Sequence, residues 1–266
     1  MPPPAHAFSS EIGIAITTHD RSDQLAKLLR SILDNTDWKA LVAVFDDGSA
    51  AYPNEETLKL CDYYLKAPSQ GIAENKNRAL YYFSEIHPIR RILLLEDDLI
   101  ITEPNWLRRW AKAIDRFGHI NFTFPSWDKD EESFKGGRGT PSSPHRWTKV
   151  TGQVTGANVA IMRQKIGYMN PMFSGFGHEH LEWTERWLSE GYGGKIKKKR
   201  IYFSLKPKGI SLQHCPSTGQ SYDTTRNRDI HVRLRKRGYP KIMTPWEDNQ
   251  GRDRFLSAFQ NHLKKV

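Results

Sequence analysis

The chain has 266 residues, and its 40 Lys and Arg against 30 Asp and Glu give a formal net charge of +10. A chain of this length can bury a full hydrophobic core without disulfide bonds or a structural metal. Its hydrophobic content of 38% argues against an intrinsically disordered protein. Two cysteines, Cys61 and Cys215, are too few for a disulfide framework. The positive balance indicates an anionic partner, such as a nucleotide, a nucleic acid or an acidic glycan.

The sequence shows neither a membrane-spanning segment nor a secretory signal. No apolar run approaches the roughly 18–20 residues that a membrane-spanning helix needs. The N-terminal sequence MPPPAHAFSSE has neither the basic nor the apolar region of a secretory signal. We therefore expect no integral membrane span and a soluble, cytoplasmic protein.

Short apolar strands alternate with helices in the first hundred residues. Periodicity predicts strands at 12–17, 41–45 and 91–95, and helices at 21–35 and 71–83. This order is typical of an α/β fold with a mainly parallel sheet flanked by helices. Ligands of such sheets bind at the carboxyl ends of the strands. Polar clusters follow all three strands, at Thr17–Arg21, Asp46–Ser49 and Glu96–Asp98.

The rest of the chain contains fewer elements and ends in a basic segment. Periodicity predicts helices at 105–117 and 178–190 and a strand at 158–162. Residues 226–237 carry six Lys or Arg against one Asp. We expect three parts: a flexible lead-in at 1–10, one domain at 11–215, and a basic C-terminal extension at 216–266 that serves as a lid.

Three adjacent acidic residues, Glu96-Asp97-Asp98, follow the apolar strand RILLL. Neighbouring carboxylates at a strand end are costly unless a cation offsets their charge. Their hard oxygen ligands suit Mg²⁺ or Mn²⁺, and these ions in turn bind a diphosphate. The sequence lacks the glycine-rich dinucleotide motif and the P-loop, which argues against NAD(P) enzymes and P-loop NTPases.

Four segments occur in the order and spacing seen in the nucleotide-binding half of family 2 glycosyltransferases with the GT-A fold. They are IGIAITTHDR, VAVFDDGS, QGIAENKNRAL and RILLLEDDLI. Two later segments, TGANVAIMR and FGHEHLEWTERW, are similar to the acceptor half of these enzymes. The sequence thus resembles this family, and above all its galactosyltransferase and polypeptide N-acetylgalactosaminyltransferase branches. The resemblance implies a GT-A fold, with a nucleotide-binding half at 11–100 and an acceptor half at 101–215.

The resemblance implies that a nucleotide-sugar donor binds at the strand ends. Thr17, His19 and Arg21 would line the pocket for the nucleobase and ribose. Asp47, the second Asp of DDGS, would accept a hydrogen bond from N3–H of uracil.

Further donor contacts are implied along the same cleft. Lys76 or Arg78 suits the diphosphate, and Asp97 would touch the ribose or a metal-bound water. Ala157 and Asn158 would let the donor sugar approach a strand backbone, since a small side chain leaves room there.

Asp98 and His214 are the metal ligands that the resemblance implies. Asp98 matches the family's acidic metal-binding motif, and His214 matches a later metal-binding histidine. The expected cofactor is Mn²⁺ or Mg²⁺, and an imidazole ligand favours Mn²⁺.

The group that activates the acceptor stays open, because the family has an E-D pair where this chain has Glu179-His180. Glu179 is one candidate base, with Glu182 one turn later orienting the acceptor. His180 is the other, because an ordinary histidine titrates near neutrality. A retaining enzyme would need no such base, but inversion is favoured. Trp183, four residues before Trp187, is expected to stack on the acceptor, although tryptophan pairs at this spacing more often lie in the core.

The sequence therefore predicts a metal-dependent glycosyltransferase that moves a hexose from a UDP-sugar to an acceptor hydroxyl. The acceptor is a saccharide, a protein or, given the basic segments, a polyanion such as hydroxymethylated DNA. Two alternatives remain: a nucleic-acid-binding module on an inactive transferase fold, and a nucleotidyltransferase, which would release pyrophosphate rather than UDP.

Overall fold

The computed structural model describes residues 11–122, 154–193, 195–196, 199–200, 204–205, 209–213 and 224–263. Its strands are β1 (Ile12–Thr18), β2 (Leu41–Asp46), β3 (Tyr63–Lys66), β4 (Arg91–Glu96), β5 (Leu99–Ile101), β6 (His119–Phe122), β7 (Val154–Asn158), β8 (Lys195–Ile196), β9 (Lys199–Arg200), β10 (Ser204–Leu205) and β11 (Ile210–Leu212).

The helices flank the sheet, and two of them continue into π-helical turns at Tyr82–Ile86 and Met162–Ile166. The helices are α1 (Ser22–Asn35), α2 (Glu55–Leu58), α3 (Ile72–Tyr81), α4 (Trp106–Phe117), α5 (Val159–Ile161), α6 (Glu179–Ser189), α7 (Thr225–Arg237) and α8 (Asn249–Leu263). Within the described ranges, none of the helices has both the length and the apolar character needed to cross a bilayer.

Seven of the described strands form one sheet, in the order β10-β6-β7-β4-β1-β2-β3. β1 pairs in parallel with β2 and with β4, and β2 pairs in parallel with β3. β7 runs antiparallel between β4 and β6. Outside this sheet, β5 pairs antiparallel with β11. The mainly parallel sheet flanked by helices confirms the predicted fold class.

The apolar side chains of the central strands divide between two cores, one on each face of the sheet. In β1, Ile14 and Ile16 pack with α1 and α4, whereas Ala15 packs in the opposite core with α3 and α6. In β4, Leu93 and Leu94 divide in the same way. Successive side chains of a strand point to opposite faces, so a strand covered on both faces is a continuous apolar run. This explains why these strands could be recognised in the sequence as short apolar runs.

The predicted elements agree with the structure to within a few residues, with one exception. The strand predicted at 158–162 is wrong, because β7 ends at Asn158 and a short helix follows. The Asn158 side chain accepts a hydrogen bond from the backbone N–H of Ile161, at 3.2 Å. An asparagine cap of this kind begins a helix even where the following residues are apolar.

The helices beyond residue 223 pack on the same core as the sheet. Ile230 of α7 and both Phe255 and Phe259 of α8 are buried in the core that also holds Trp183 and Trp187 of α6. The predicted boundary between residues 215 and 216 lies outside the described residues. The described part of the predicted extension, 224–263, packs on the body of the protein through this core.

Candidate active site

The carboxyl ends of β1, β2 and β4 meet at one edge of the sheet. The register pairs Thr17 with Glu96 and Thr18 with Asp46. The polar residues that follow the three strands therefore lie side by side, as their positions in the sequence indicated. We call this group the strand-end cluster: Thr18, His19, Arg21, Asp47, Asp97 and Asp98.

Asp97 is a buried carboxylate held by two donors. Thr18 Oγ1 donates to Asp97 Oδ2 at 2.7 Å, and Arg21 Nη1 donates to Asp97 Oδ1 at 3.0 Å. Burial raises the pKa of Asp97, while Arg21 and Thr18 act in the opposite direction. Sequence reasoning chose Thr17 and missed Thr18. In the structure, Thr17 is largely buried and points its hydroxyl at the carbonyl of Leu95, 3.4 Å away.

Asp47 organises a loop with its own carboxylate. Asp47 accepts hydrogen bonds from the backbone N–H groups of Gln70 and Gly71, both at 2.9 Å, from Ser69 Oγ at 3.0 Å and from Arg78 Nη1 at 3.3 Å. Four donors fill the usual acceptor capacity of a carboxylate. A hydrogen bond from uracil would have to displace one of them, so the expected direct contact is not supported.

His19 and Arg21 reach the open side of this edge. His19 Nδ1 donates to the carbonyl oxygen of Asp47 at 2.9 Å, and about half of its side chain is exposed. The Arg21 side chain is about one-third exposed while it pairs with Asp97. Both side chains can therefore contact a ligand without leaving their partners.

Gly71 brings the loop at 69–71 against the loop that precedes α6. Its backbone forms a parallel bridge to Gly175, and the Ile72 N–H donates to the Gly175 carbonyl at 3.1 Å. A Cβ atom at Gly71 would lie 2.5 Å from the Gly175 nitrogen, and both glycines have positive φ angles. Only glycine fits this crossing without strain.

Asp98 lies at the turn between β4 and β5 and is half-buried. Gln213, the last described residue before His214, donates its backbone N–H to the Asp98 carbonyl at 2.7 Å. His214 itself lies outside the described residues. Within the described part of the chain no three metal-binding side chains come together. The carboxylate of Asp98 is a hard oxygen donor, so it fits a cation that takes its other ligands from a substrate diphosphate.

A second group, here called the Lys76 cluster, joins the strand edge to helix α6. It consists of Lys76, Glu96, Glu179 and His180. Lys76 is fully buried, and its ammonium lies 2.6 Å from Glu96 Oε1 and 2.6 Å from His180 Nε2. Lys76 is thus engaged with two partners inside the protein, and its burial does not fit the expected direct contact with a diphosphate. Arg78 is likewise buried, with Asp47 and Glu74 as partners.

Burial shifts the pKa values of the two candidate bases, Glu179 and His180, in opposite directions. Desolvation raises the pKa of Glu179 from 4.5 to about 7. Burial and the Lys76 ammonium hold the pKa of His180 well below its usual value. His180 Nε2 lies 3.7 Å from Glu179 Oε1 and already faces the Lys76 ammonium. Of the two groups, Glu179 has the pKa suited to accept a proton near neutrality.

The two residues expected to bind the acceptor lie in the core instead. Trp183 is completely buried, packs edge-on against Trp187 and donates its indole N–H to the Gly167 carbonyl at 3.1 Å. Glu182 is also completely buried and accepts from Arg186 Nε at 2.6 Å. The i, i+4 spacing of Trp183 and Trp187 is the same whether their helix face meets solvent or the interior, so the sequence could not decide between the two.

Ala157 and Asn158 lie at the wrong end of the sheet for the role expected of them. Because β7 runs antiparallel to β4, Ala157 pairs with Ile92 and Asn158 with Arg91, at the amino end of β4. Val154, at the start of β7, pairs with Leu95 near the site. The expectation that Ala157 and Asn158 contact the donor sugar is therefore corrected.

Comparison with known proteins shows that the fold of this chain is similar to that of several solved structures. No family model matches the chain, and no curated protein matches its sequence. Among solved structures, the mannosyltransferase PcManGT from Pyrobaculum calidifontis, in complex with GDP-Man and Mn²⁺, has a TM-score of 0.59 at 11% identity. The match covers 95% of this chain and 70% of that one.

Two other solved structures give the same result. S. aureus TarS 1–349 has a TM-score of 0.53 at 15% identity, over 73% of this chain, which spans only 60% of that protein. The catalytic domain of Drosophila β1,4-galactosyltransferase 7, in complex with xylobiose, has a TM-score of 0.52 at 13% identity, over 88% of this chain and 82% of that one. The fold is therefore the GT-A fold that the sequence motifs implied.

Proposed function

We propose that this protein is a metal-dependent glycosyltransferase, similar to family 2, that moves a hexose from a UDP-sugar to an acceptor hydroxyl with inversion. The supporting observation is the connection between two groups of side chains. Glu96 pairs with Lys76, Lys76 contacts His180, and Glu179 precedes His180 in the chain. An acidic strand edge suited to a metal diphosphate thus adjoins a buried carboxyl group suited to accept a proton.

In this proposal the donor lies along the strand-end cluster. His19 and Arg21 contact the nucleotide, since both side chains are partly exposed at the carboxyl edge. Asp97 keeps Arg21 in place, and Asp47 shapes the loop at 69–71 that borders the pocket. The choice of UDP over GDP rests on the sequence motifs, and the neighbours include structures with UDP and with GDP-Man.

Asp98 and His214 would hold the divalent cation, Mn²⁺ or Mg²⁺. His214 is the next residue after Gln213, whose backbone is hydrogen-bonded to that of Asp98. Three kinds of neighbour were crystallised with manganese, which is consistent with this choice. When bound, such an ion offsets the negative charge that develops on a departing diphosphate.

Glu179 is the proposed base. The acceptor oxygen forms a bond to the anomeric carbon, the bond from that carbon to the diphosphate oxygen breaks, and UDP leaves. The hydroxyl proton passes to the Glu179 carboxylate, whose pKa of about 7 keeps a substantial ionised fraction at neutral pH. Lys76 and His180 hold the neighbouring charges in place. The acceptor is a saccharide, a protein or a polyanion such as hydroxymethylated DNA.

The proposal is tested by thermal unfolding with UDP, GDP, CDP or ADP, each with Mn²⁺ or with EDTA. A ligand at about 100 times its Kd should stabilise the folded state by roughly 2.7 kcal/mol. We expect this shift with UDP and Mn²⁺ for the wild type, and its loss in Asp98→Ala. Asp34→Ala is the matched control, because Asp34 is an exposed acid of α1.

Three outcomes would change the proposal. A stabilising shift with GDP alone would support a transferase that uses a GDP-sugar instead of a UDP-sugar. Release of pyrophosphate from a nucleoside triphosphate would favour the nucleotidyltransferase. No shift with any nucleotide would favour the inactive, nucleic-acid-binding alternative.

A further inference from the structure

Helix α7 carries half of the formal net charge of the chain. Its 13 residues include six Arg or Lys and one Asp, a surplus of five against +10 for all 266 residues. All six cations are exposed. Four of them, Arg226, Arg233, Lys236 and Arg237, have no acidic partner within the part of the chain that the structure describes; the other two pair with Asp229 and Glu185. A row of exposed arginines and lysines of this density is suited to bind phosphates.

The opposite face of α7 fixes the helix to the body. Asn227, Ile230 and His231 are buried, and His231 Nε2 lies 2.9 Å from Glu185 Oε2. Arg235 also donates to Glu185, at 2.6 Å. The helix that carries the cations is therefore docked on the body of the protein.

The amino end of α7 holds the loop that leads into Glu179. Asn227 Nδ2 lies 2.9 Å from the Ser174 carbonyl, 3.1 Å from that of Phe176 and 2.9 Å from that of Gly177. Arg226 Nη1 lies 3.2 Å from Ser174 Oγ. The basic face of α7 thus begins beside the candidate active site.

The same loop presents an apolar surface to solvent. The Phe176 side chain is 47% exposed, and Met172 is 44% exposed. An exposed aromatic ring at the end of a basic row is the combination that binds single strands: bases stack on the ring, and phosphates follow the cations. Five of the six cations are arginines, which pair with phosphate in a bidentate way.

We propose that the exposed face of α7 together with Phe176 binds single-stranded nucleic acid. Phosphates follow Arg226, Arg233, Lys236 and Arg237, and an unpaired base stacks on Phe176. If the proposed function holds, on which this step rests, a hydroxyl group on that base is the acceptor. Its oxygen bonds to the anomeric carbon, UDP leaves, and its proton passes to Glu179.

The test is binding of a fluorescein-labelled single-stranded DNA by fluorescence anisotropy, titrated at several salt concentrations. The variant Arg233→Gln/Lys236→Gln/Arg237→Gln removes three exposed charges from α7. The control Lys27→Gln/Arg30→Gln/Lys112→Gln removes three exposed charges from α1 and α4, which pack on the other face of the sheet. We expect the α7 variant to bind at least about tenfold more weakly. The slope of log binding constant against log salt concentration should be less steep by about 2. The control should stay within about twofold of the wild type.

A second pair of variants tests the aromatic ring. Phe176→Leu should weaken binding by about fivefold or more, whereas Phe176→Trp should preserve it, because base stacking requires the ring. Equal losses in the α7 and control variants, or no binding by the wild type, would overturn the proposal. Tighter, α7-dependent binding of an acidic polysaccharide would assign the surface to a glycan and overturn the nucleic-acid partner.

Hydrolysis of the UDP-sugar without acceptor separates the two proposals. The α7 variant should hydrolyse the donor like the wild type, since its changes lie outside the donor site. Donor hydrolysis without DNA binding would overturn the proposed nucleic-acid-binding surface and leave the proposed transferase activity standing. DNA binding that depends on α7, without any nucleotide binding, would support the proposed surface and overturn the proposed transferase activity.

Discussion

At the scale of single residues, Glu179 combines burial with an incomplete set of partners. Its Oε2 atom is buried and has no hydrogen-bond partner within the described residues. We expect Glu179→Gln to reduce turnover by about 10²- to 10⁴-fold, the usual contribution of a general base. The wild-type rate should rise with pH through about 7, as Glu179 loses its proton. Steady-state rates across pH check this, with exposed Glu190→Gln as the control; an unchanged profile in Glu179→Gln would exclude Glu179 as the base.

The same carboxyl group should make stability depend on pH. Its folded-state pKa of about 7 lies above the ordinary 4.5, so the folded protein binds more protons than the unfolded chain between these values. The stabilising effect is complete below pH 4.5 and is lost as pH rises to 7, by about 3 kcal/mol in total. Glu179→Gln should remove this dependence, as urea unfolding at pH 4.5 and pH 8 can measure. Parallel pH curves for the two proteins would refute the raised pKa.

The adjacent Thr17 and Thr18 should differ in their importance. Thr18→Val removes a 2.7 Å hydrogen bond to buried Asp97, and we expect it to lower the free energy of unfolding by about 1–3 kcal/mol. Thr17→Val removes only a long contact of 3.4 Å and should cost less than about 1 kcal/mol. Urea unfolding of both variants gives the comparison, and equal costs would contradict the assignment of Thr18 to Asp97.

At the scale of elements, Asn227 of α7 binds three carbonyl groups of the loop that precedes α6. Asn227→Ala leaves three carbonyl groups without their shared donor, so we expect a loss of about 1–3 kcal/mol in stability. The loop preceding Glu179 should loosen, lowering kcat while UDP affinity stays the same. Calorimetry and rate measurements check both, against Asn249→Ala, an exposed asparagine at the start of α8. A change in UDP affinity instead would indicate that the damage reaches the strand-end cluster.

Elements could be predicted where local pattern decides them and not where distant contacts do. β1, β2 and β4 were recognisable as apolar runs followed by polar clusters, which also located the strand-end cluster. The antiparallel direction of β7 leaves no trace in its own sequence, so Ala157 and Asn158 were misplaced. Lys76 was expected to contact a diphosphate, yet it is buried by contacts with Glu96 on β4 and His180 on α6, which its own sequence context does not reveal.

At the scale of the whole molecule, residues 224–263 should unfold together with the sheet. Phe255 is 1% exposed and packs with Tyr81 and Trp246. We expect Phe255→Ala to lower the free energy of unfolding by about 3–5 kcal/mol. The whole protein should still unfold in a single transition, at a lower temperature. Leu33→Ala, at a side chain that is 66% exposed, should cost no more than about 0.5 kcal/mol. Calorimetry distinguishes this from a separate extension, which would melt first and leave the main transition unchanged.

The contact between Gly71 and Gly175 limits how this protein can be re-engineered. The two loops that border the candidate site touch through bare backbone, and neither can gain a side chain at the crossing without strain. A loop of foreign sequence transplanted at 172–178 to change acceptor preference should therefore succeed only if it keeps glycine at position 175. In directed evolution, both positions are best held constant while libraries vary the residues around them.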